Sequence, residues 1–215
     1  MLSKILLYLL LFALPLLAIA QQLSDYEKAN QSFNEGKIDE SYIHLKNSLN
    51  DNPEHLPSKI LMGYVLGLSG YFPEAEIELK DALQNGADPN LVIEPLVNVL
   101  LTLRKYQEII DVSDRQLTPA KRSLLQSSKG IAFSALGQFE QSAESFQLAL
   151  ELSPQSISAL NSYAKFLIDQ AQYSEAESIL QQSLALDNSV SNTYLLQSFL
   201  FKGQNKPEQE IIALR

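Results

Sequence analysis

Gly137-Gln138-Phe139-Glu140-Gln141-Ser142 is the clearest copy of a six-residue run that returns along most of the chain. The other copies are Gly36-Lys37-Ile38-Asp39-Glu40-Ser41, Gly70-Tyr71-Phe72-Pro73-Glu74-Ala75, Arg104-Lys105-Tyr106-Gln107-Glu108-Ile109 and Ala171-Gln172-Tyr173-Ser174-Glu175-Ala176. A small or flexible residue opens the run, an aromatic or apolar residue stands third, and acidic and small residues close it. Successive copies lie 34, 34, 33 and 34 residues apart. A fixed period of this size means a solenoid of helix pairs, because one pair is too small to bury its own apolar face and must stack on the next.

Each period reads as a helix A, a tight turn at the run, and a helix B. In the second, Ile60, Leu61, Tyr64, Val65 and Leu68 form one apolar stripe on helix A. Gly70 ends that helix, since glycine tolerates the left-handed conformation of a C-terminal cap. Helix B is expected to start near Pro73-Glu74, with proline at the first helical position and an acid in the first turn, near the positive end of the helix dipole. Ala75, Leu79, Ala82 and Leu83 then face helix A, with the alanines allowing close approach. In the fourth period Gly130, Phe133 and Leu136 lie on helix A and Phe146, Ala149 and Leu150 on helix B. Ser153-Pro154 is expected to start the next helix as N-cap and first helical residue. Asp88-Pro89 caps the helix holding Leu91 to Leu103, and Asn52-Pro53 and Thr118-Pro119 break the chain after helix B.

The third period is the weakest, with Arg104 in place of the turn glycine and Ile109 in place of a small residue. Its helix B, Gln107 to Leu117, is expected to be short or displaced. Thr193 to Lys202 reads as a last helix A and Pro207 to Leu214 as a short closing helix. The division is therefore 1–20, then one continuous domain over 21–215, with repeats at about 22–55, 56–89, 90–122, 123–156 and 157–190 and a partial capping repeat at 191–215.

The 215 residues are 46% hydrophobic and 19% charged, enough apolar material for a continuous core. The net charge of −9 leaves no electrostatic footprint for a phosphate backbone, so no nucleic-acid partner is expected. Lys121, Arg122 and Lys129 form the most basic stretch and read as a local surface patch. Lys4, the apolar run from Ile5 to Leu14, Pro15 and Ala18-Ile19-Ala20 have the layout of a secretory signal peptide cleaved after Ala20. The alternative is an N-terminal membrane anchor, but Ile5 to Ala20 is 16 residues, short of the roughly 20 that a spanning helix needs. Export points to a bacterial periplasm. The chain has no cysteine, which excludes disulfides, thiolate metal sites, a catalytic thiol and lipid attachment at a cleavage-site cysteine.

The small residues Ala29, Gly63, Gly130 and Ala164, then Ser41, Ala75, Ser142 and Ala176, then Ser48, Ala82, Ala149 and Ser183, recur in phase. Between them stand Leu45, Leu79, Phe146 and Leu180, and Pro53 and Pro154 fall where repeats join. This pattern resembles the tetratricopeptide repeat family, over about residues 23 to 215. The resemblance implies an all-α, right-handed superhelical solenoid of antiparallel helix pairs, about five and a half repeats long, whose concave face is lined by helix A. The words Ile43-His44-Leu45-Lys46-Asn47-Ser48-Leu49, Leu61-Met62-Gly63, Glu76-Ile77-Glu78-Leu79 and Asn85-Gly86-Ala87-Asp88-Pro89 are also similar to the tetratricopeptide proteins of exosortase and exopolysaccharide (PEP-CTERM) systems, which usually carry more repeats.

The family contacts its ligands through positions two, five, nine, twelve and thirteen of helix A. By that resemblance the partner-binding groove holds Tyr26, Asn30 and Asn34, then Ile60, Tyr64 and Leu68, then Glu94, Asn98 and Thr102, then Ser127 and Ile131, then Asn161, Lys165 and Asp169. Asparagine offers both a donor and an acceptor to a peptide backbone, and tyrosine gives contact area at low entropic cost. The paired lysines of a carboxylate clamp are missing, since Lys165 stands alone, so a C-terminal acidic peptide is not the expected ligand.

Chemistry is sparse. His44 and His55 are eleven residues apart across Pro53, which is not metal-ligand spacing. His44 reads as a surface residue. No nucleophile–base order or phosphate loop is present, and Glu74/Glu76 and Glu175/Glu177 suit the start of a helix better than acid–base work. No enzyme activity, cofactor or metal is expected. The expectation is an exported scaffold or adaptor for a protein partner, in envelope or exopolysaccharide assembly. The alternatives are an adaptor for a periplasmic protease or peptidoglycan enzyme, and a chiefly structural homo-oligomer. Leu195, Leu196, Phe199, Leu200 and Phe201 nearly encircle the last helix A and would give such an oligomer an apolar C-terminal end to bury.

Overall fold

The computed structural model describes residues 23–213, so the expected leader lies outside the described residues. Twelve helices and no strand occur among them: α1 (Asp25–Asn34), α2 (Ile38–Asp51), α3 (Leu56–Leu68), α4 (Phe72–Gln84), α5 (Pro89–Thr102), α6 (Tyr106–Asp111), α7 (Pro119–Ala135), α8 (Phe139–Leu152), α9 (Ile157–Asp169), α10 (Tyr173–Leu186), α11 (Ser191–Gly203) and α12 (Pro207–Ala213). The odd-numbered helices are the A helices and the even-numbered ones the B helices. Among the described residues consecutive A helices touch one another in an unbroken row, whereas each B helix from α2 to α10 touches its own A helix and the next A helix but no other B, and α12 touches α11. The A side is therefore the tighter side of the curve, and the array is a right-handed superhelical solenoid with the A row on its concave face.

The turn between A and B is the same object in every repeat. Gly36, Gly70, Arg104, Gly137, Ala171 and Asn205 all have φ between +55° and +83°. In the first, the Lys37 N–H donates to the Ser32 carbonyl (2.8 Å) and the Gly36 N–H to the Phe33 carbonyl (3.0 Å). The same pair of bonds recurs up to Lys206 to Phe201 (2.9 Å) and Asn205 to Lys202 (3.1 Å). These are Schellman caps, which satisfy the orphan carbonyls at a helix C-terminus. Asn205 is a sixth copy, 34 residues after Ala171, hidden in the sequence because Pro207 stands in the third place and Glu210 in place of the small sixth residue.

Helix A meets helix B by a small-to-large interlock. A Cβ on Gly63 would lie 2.4 Å from Leu79 Cγ, and one on Gly130 2.9 Å from the Phe146 ring. In the first and fourth repeats a buried serine strengthens the contact: Ser41 Oγ donates to the Ala29 carbonyl (2.9 Å) and Ser142 Oγ to the Gly130 carbonyl (2.8 Å). Beyond the fourth repeat, Asn161 Nδ2 donates to Thr193 Oγ1 (2.9 Å), Ser183 Oγ donates to Asn161 Oδ1 (3.0 Å), and the two hydroxyls lie 3.2 Å apart. That closed buried triangle ties α9, α10 and α11 together.

Two helix starts differ from expectation. Ser153 and Pro154 do not open α9. Ser153 terminates α8, Pro154-Gln155 forms a turn, and Ser156 is the N-cap, its hydroxyl accepting from the Ala159 N–H. Pro73 is one residue further into α4 than the first helical position, because Tyr71 is the N-cap. Thr118 does more than break the chain: it caps α7, with Pro119 as first helical residue. The expected shortening of the third helix B is present, α6 being six residues long.

Candidate partner-binding face

Three recesses follow one another along the A row. The first, of about 540 Å³, lies between α1, α3 and the start of α5. It brings together five predicted residues: Tyr26, Asn30 and Asn34 from α1, and Ile60 and Tyr64 from α3. Its walls are mostly apolar. Tyr26 packs edge-on against His55 (ring centroids 5.1 Å apart) and Phe33 lies against Tyr64 (6.4 Å). His55 is itself held, its Nδ1 2.7 Å from Ser58 Oγ, which lies 2.7 Å from Ser48 Oγ. Burial, and after it the Glu94 carboxylate, push the Tyr64 phenol above its usual range, so Tyr64 presents a neutral hydroxyl at any physiological pH. Asn30 and Asn34 are exposed and make no side-chain hydrogen bond among the described residues. The cleft thus offers aromatic surface edged with unspent amides, a combination suited to a peptide that buries an apolar side chain and leaves its backbone polar groups to be met.

Pro57 and Leu91 line the same cleft and were not predicted. Both occupy position two of their repeats, so the period alone would have found them. Leu91 is 58% exposed at the cleft's edge.

The second recess, of about 500 Å³, contains the predicted Glu94, Asn98, Ser127 and Ile131. It is polar, with Ser153, Ser156, Ser158 and Ser162 contributed by α9 and the turn before it. Lys121 Nζ donates to Glu94 at 2.7 Å, so that carboxylate is already paired. Asn98 is exposed and its amide is unspent among the described residues. Thr102 turns inward on its own helix, its hydroxyl donating to the Asn98 carbonyl.

A third recess, of about 610 Å³, holds Asn161 and Lys165 beside Ile157, Leu195 and Phe199. Asn161 differs from expectation: it is buried and both ends of its amide are used in the triangle with Ser183 and Thr193. Lys165 and Asp169 pair with each other four residues apart. Leu68 also departs from the groove. It is 65% exposed and lines a different recess, at the outer turn between α3 and α4. Of the occupants of position thirteen named above, only Asn34 lines the first concave cleft.

The basic stretch is fully engaged. Besides Lys121, Arg122 Nε lies 3.4 Å from Asp114, and Lys129 Nζ donates to the Val112 carbonyl at 2.8 Å. Burial lowers the Lys129 ammonium against the opposing pull of Asp114 and Asp111. His44, expected on the surface, is half-buried, with Nδ1 3.7 Å from Asp25 Oδ1. No cluster of three or more metal-ligating side chains occurs among the described residues.

Residues 134–195 match the family model described as tetratricopeptide repeat. No curated protein sequence matches the chain. Among solved structures, PilF of Pseudomonas aeruginosa is 17% identical with a TM-score of 0.68, over 88% of this chain and 86% of that one. PilW, a type IV pilus biogenesis factor, is 14% identical with a TM-score of 0.73, over 88% of each chain. MamA is 15% identical with a TM-score of 0.62, over 74% of this chain and 94% of that one. At these identities the likeness is one of fold.

Proposed function

We propose that this tetratricopeptide-repeat solenoid is an exported, non-enzymatic scaffold that holds a segment of a partner protein along its concave face, with the cleft of the first two repeats as the principal contact. The observation that carries this reading is the first recess: Tyr26, Ile60, Tyr64 and Leu91 around a cavity of about 540 Å³, edged by the unspent amides of Asn30 and Asn34. Rigid aromatic side chains in a preformed concavity are what an apolar anchor residue of a peptide needs. The polar second recess would then take the peptide's hydrogen-bonding groups further along. Tetratricopeptide solenoids as a class are protein-binding scaffolds, which supports the general role.

The finer assignment rests on two further considerations. The layout of residues 1–20 favours export, with cleavage after Ala20. An exported scaffold fits an envelope or exopolysaccharide assembly, and the likeness in fold to PilW, a type IV pilus biogenesis factor, is in keeping with an assembly role.

The test is a crosslinking pulldown of the chain from its native envelope, run beside a Tyr26→Ala/Asn30→Ala/Tyr64→Ala variant. The reading requires a partner captured by the wild type and lost from the variant. Equal capture by both would move the binding site off the concave face. Fractionation of the tagged chain checks export: recovery with periplasmic contents and a mature N-terminus at Gln21 is expected, and a retained leader would replace export with anchoring.

A further inference from the structure

The outer face carries a second recess, independent of the concave cleft, at the junction of the first two repeats. It measures about 800 Å³ and is lined by Ile38, Asp39 and Tyr42 of α2, Leu66 and Leu68 of α3, and Tyr71 and Glu74 at the start of α4. Its apolar lining is unusually open to solvent: Leu68 is 65% exposed, Tyr71 58% and Tyr42 37%.

The array supplies its own control for this recess. One repeat further along, the residues in the places of Tyr42, Leu68, Tyr71 and Glu74 are Glu76, Thr102, Lys105 and Glu108. There the recess is closed by ion pairs. Lys105 Nζ lies 2.7 Å from Glu76 and 3.3 Å from Glu108, and Lys80 bridges the same two carboxylates. At the first junction two tyrosines stand where Glu76 and Lys105 stand, and Leu68 stands where Thr102 does. Asp39 and Glu74 remain on its rim, exposed and without a cationic partner among the described residues. The Tyr42 ring already takes a cation on its face, with Lys46 Nζ 5.8 Å from the centroid.

We propose that this recess is a docking site for a partner segment in which arginine or lysine alternates with apolar residues. The apolar side chains would cover Leu68 and the tyrosine rings, and the cations would supply the charge that Lys105 supplies at the next junction and Tyr71 does not supply here, pairing with Asp39 and Glu74 and stacking on Tyr71. Charge complementarity selects this occupant. An acidic or neutral apolar segment would leave both rim carboxylates facing it unpaired.

The probe is a blocked hexapeptide of alternating leucine and arginine, titrated into the isotope-labelled chain while backbone amide shifts are followed by NMR. Shifts should appear at Asp39, Tyr42, Leu68 and Tyr71, with a Kd on the order of 1 mM for so short a peptide. Asp39→Asn/Glu74→Gln should weaken binding about fivefold or more, and adding salt to the wild type should act in the same direction. Both substitutions are on exposed residues. A Tyr26→Ala/Tyr64→Ala variant should bind this probe unchanged, which separates this site from the concave one. Equal shifts with a leucine–glutamate hexapeptide, or none lost in the Asp39→Asn/Glu74→Gln variant, would overturn the proposal. So would shifts at these residues that grow with protein concentration alone, since the occupant would then be a second copy of the chain.

Discussion

The second and third repeats have the same turn and different second helices, and the difference shows what a repeat needs to be whole. In the second, Gly63 opens a hole that Leu79 fills, and α4 runs for thirteen residues. In the third, Val97 stands where Gly63 does, Ile109 where Ala75 does, and Ser113 where Leu79 does. Val97 and Ile109 are both fully buried, Val97 against Ile93, Leu117 and Leu125 and Ile109 in the core shared with the preceding repeats. With Ser113 at the anchor position, a longer helix B would have nothing apolar to press against α5, and α6 stops at Asp111. The chain that follows replaces it: Val112 and Leu117 pack on Ile93, Val97 and Leu125. The interlock, rather than the turn or helix propensity, therefore sets the length of helix B.

The largest expected effect breaks that contrast. Leu79→Ala should cost about 3–4 kcal/mol of unfolding free energy, because a fully buried anchor leaves a cavity against Gly63. Ser113→Ala, at the equivalent position, should change stability by less than about 0.5 kcal/mol. Chemical denaturation of the two variants checks both, and comparable losses would show that repeat three is anchored at Ser113 after all.

Next in size is the ionic network joining the two repeats. Glu76 is buried and accepts from both Lys80 (2.5 Å) and Lys105 (2.7 Å). Burial raises its carboxyl, and the two lysines more than reverse this, so it titrates below the ordinary value of 4.5. Hydrogen bonding from Lys80 is the main cause of a similar lowering at Glu108. Groups with depressed folded-state pKa values stabilise fully above the unfolded value and lose that contribution as pH falls through the folded one. Glu76→Gln should cost about 1–2 kcal/mol near neutrality, since both lysines lose their buried partner and keep only the exposed Glu108. It should also flatten the fall in Tm below about pH 4.5. An acid limb unchanged in the variant would assign the loss to other carboxylates.

The smallest effects test what the two repeats share. Gly70 and Arg104 adopt φ of +83° and +57°. Gly70→Ala should cost about 1 kcal/mol from the left-handed strain alone, as nothing lies within 4 Å of a Cβ there. Arg104→Gly should be neutral to stabilising by up to about 1 kcal/mol. Opposite signs in thermal melts would confirm a common turn.

The fold was legible because its period rests on local rules: a left-handed cap, a small residue against a large one, an acid at a helix start. Where those signals weaken, the sequence misleads. Asn205 takes the turn conformation with proline in the third place of the run and no small residue in the sixth. Ser153-Pro154 has the composition of a helix start but stands three residues before the real cap at Ser156. The first concave cleft was legible for Tyr26, Asn30, Ile60 and Tyr64, because position within the repeat places them. Asn161 and Leu68 hold equivalent kinds of position, yet one is consumed by a polar triangle and the other faces outward. Those outcomes depend on Ser183, Thr193 and the curvature of the array, partners 22 and 32 residues away in the case of Asn161.

The central claim, that the concave face of the first two repeats holds the partner, is tested most directly by site-specific photocrosslinking in the native envelope. A photoreactive residue would replace Leu91 at the cleft edge in one variant and Ile77, 66% exposed on the helix B side, in another. The account predicts a discrete partner adduct from position 91 and none from position 77. An adduct from position 77 with none from position 91 would contradict it.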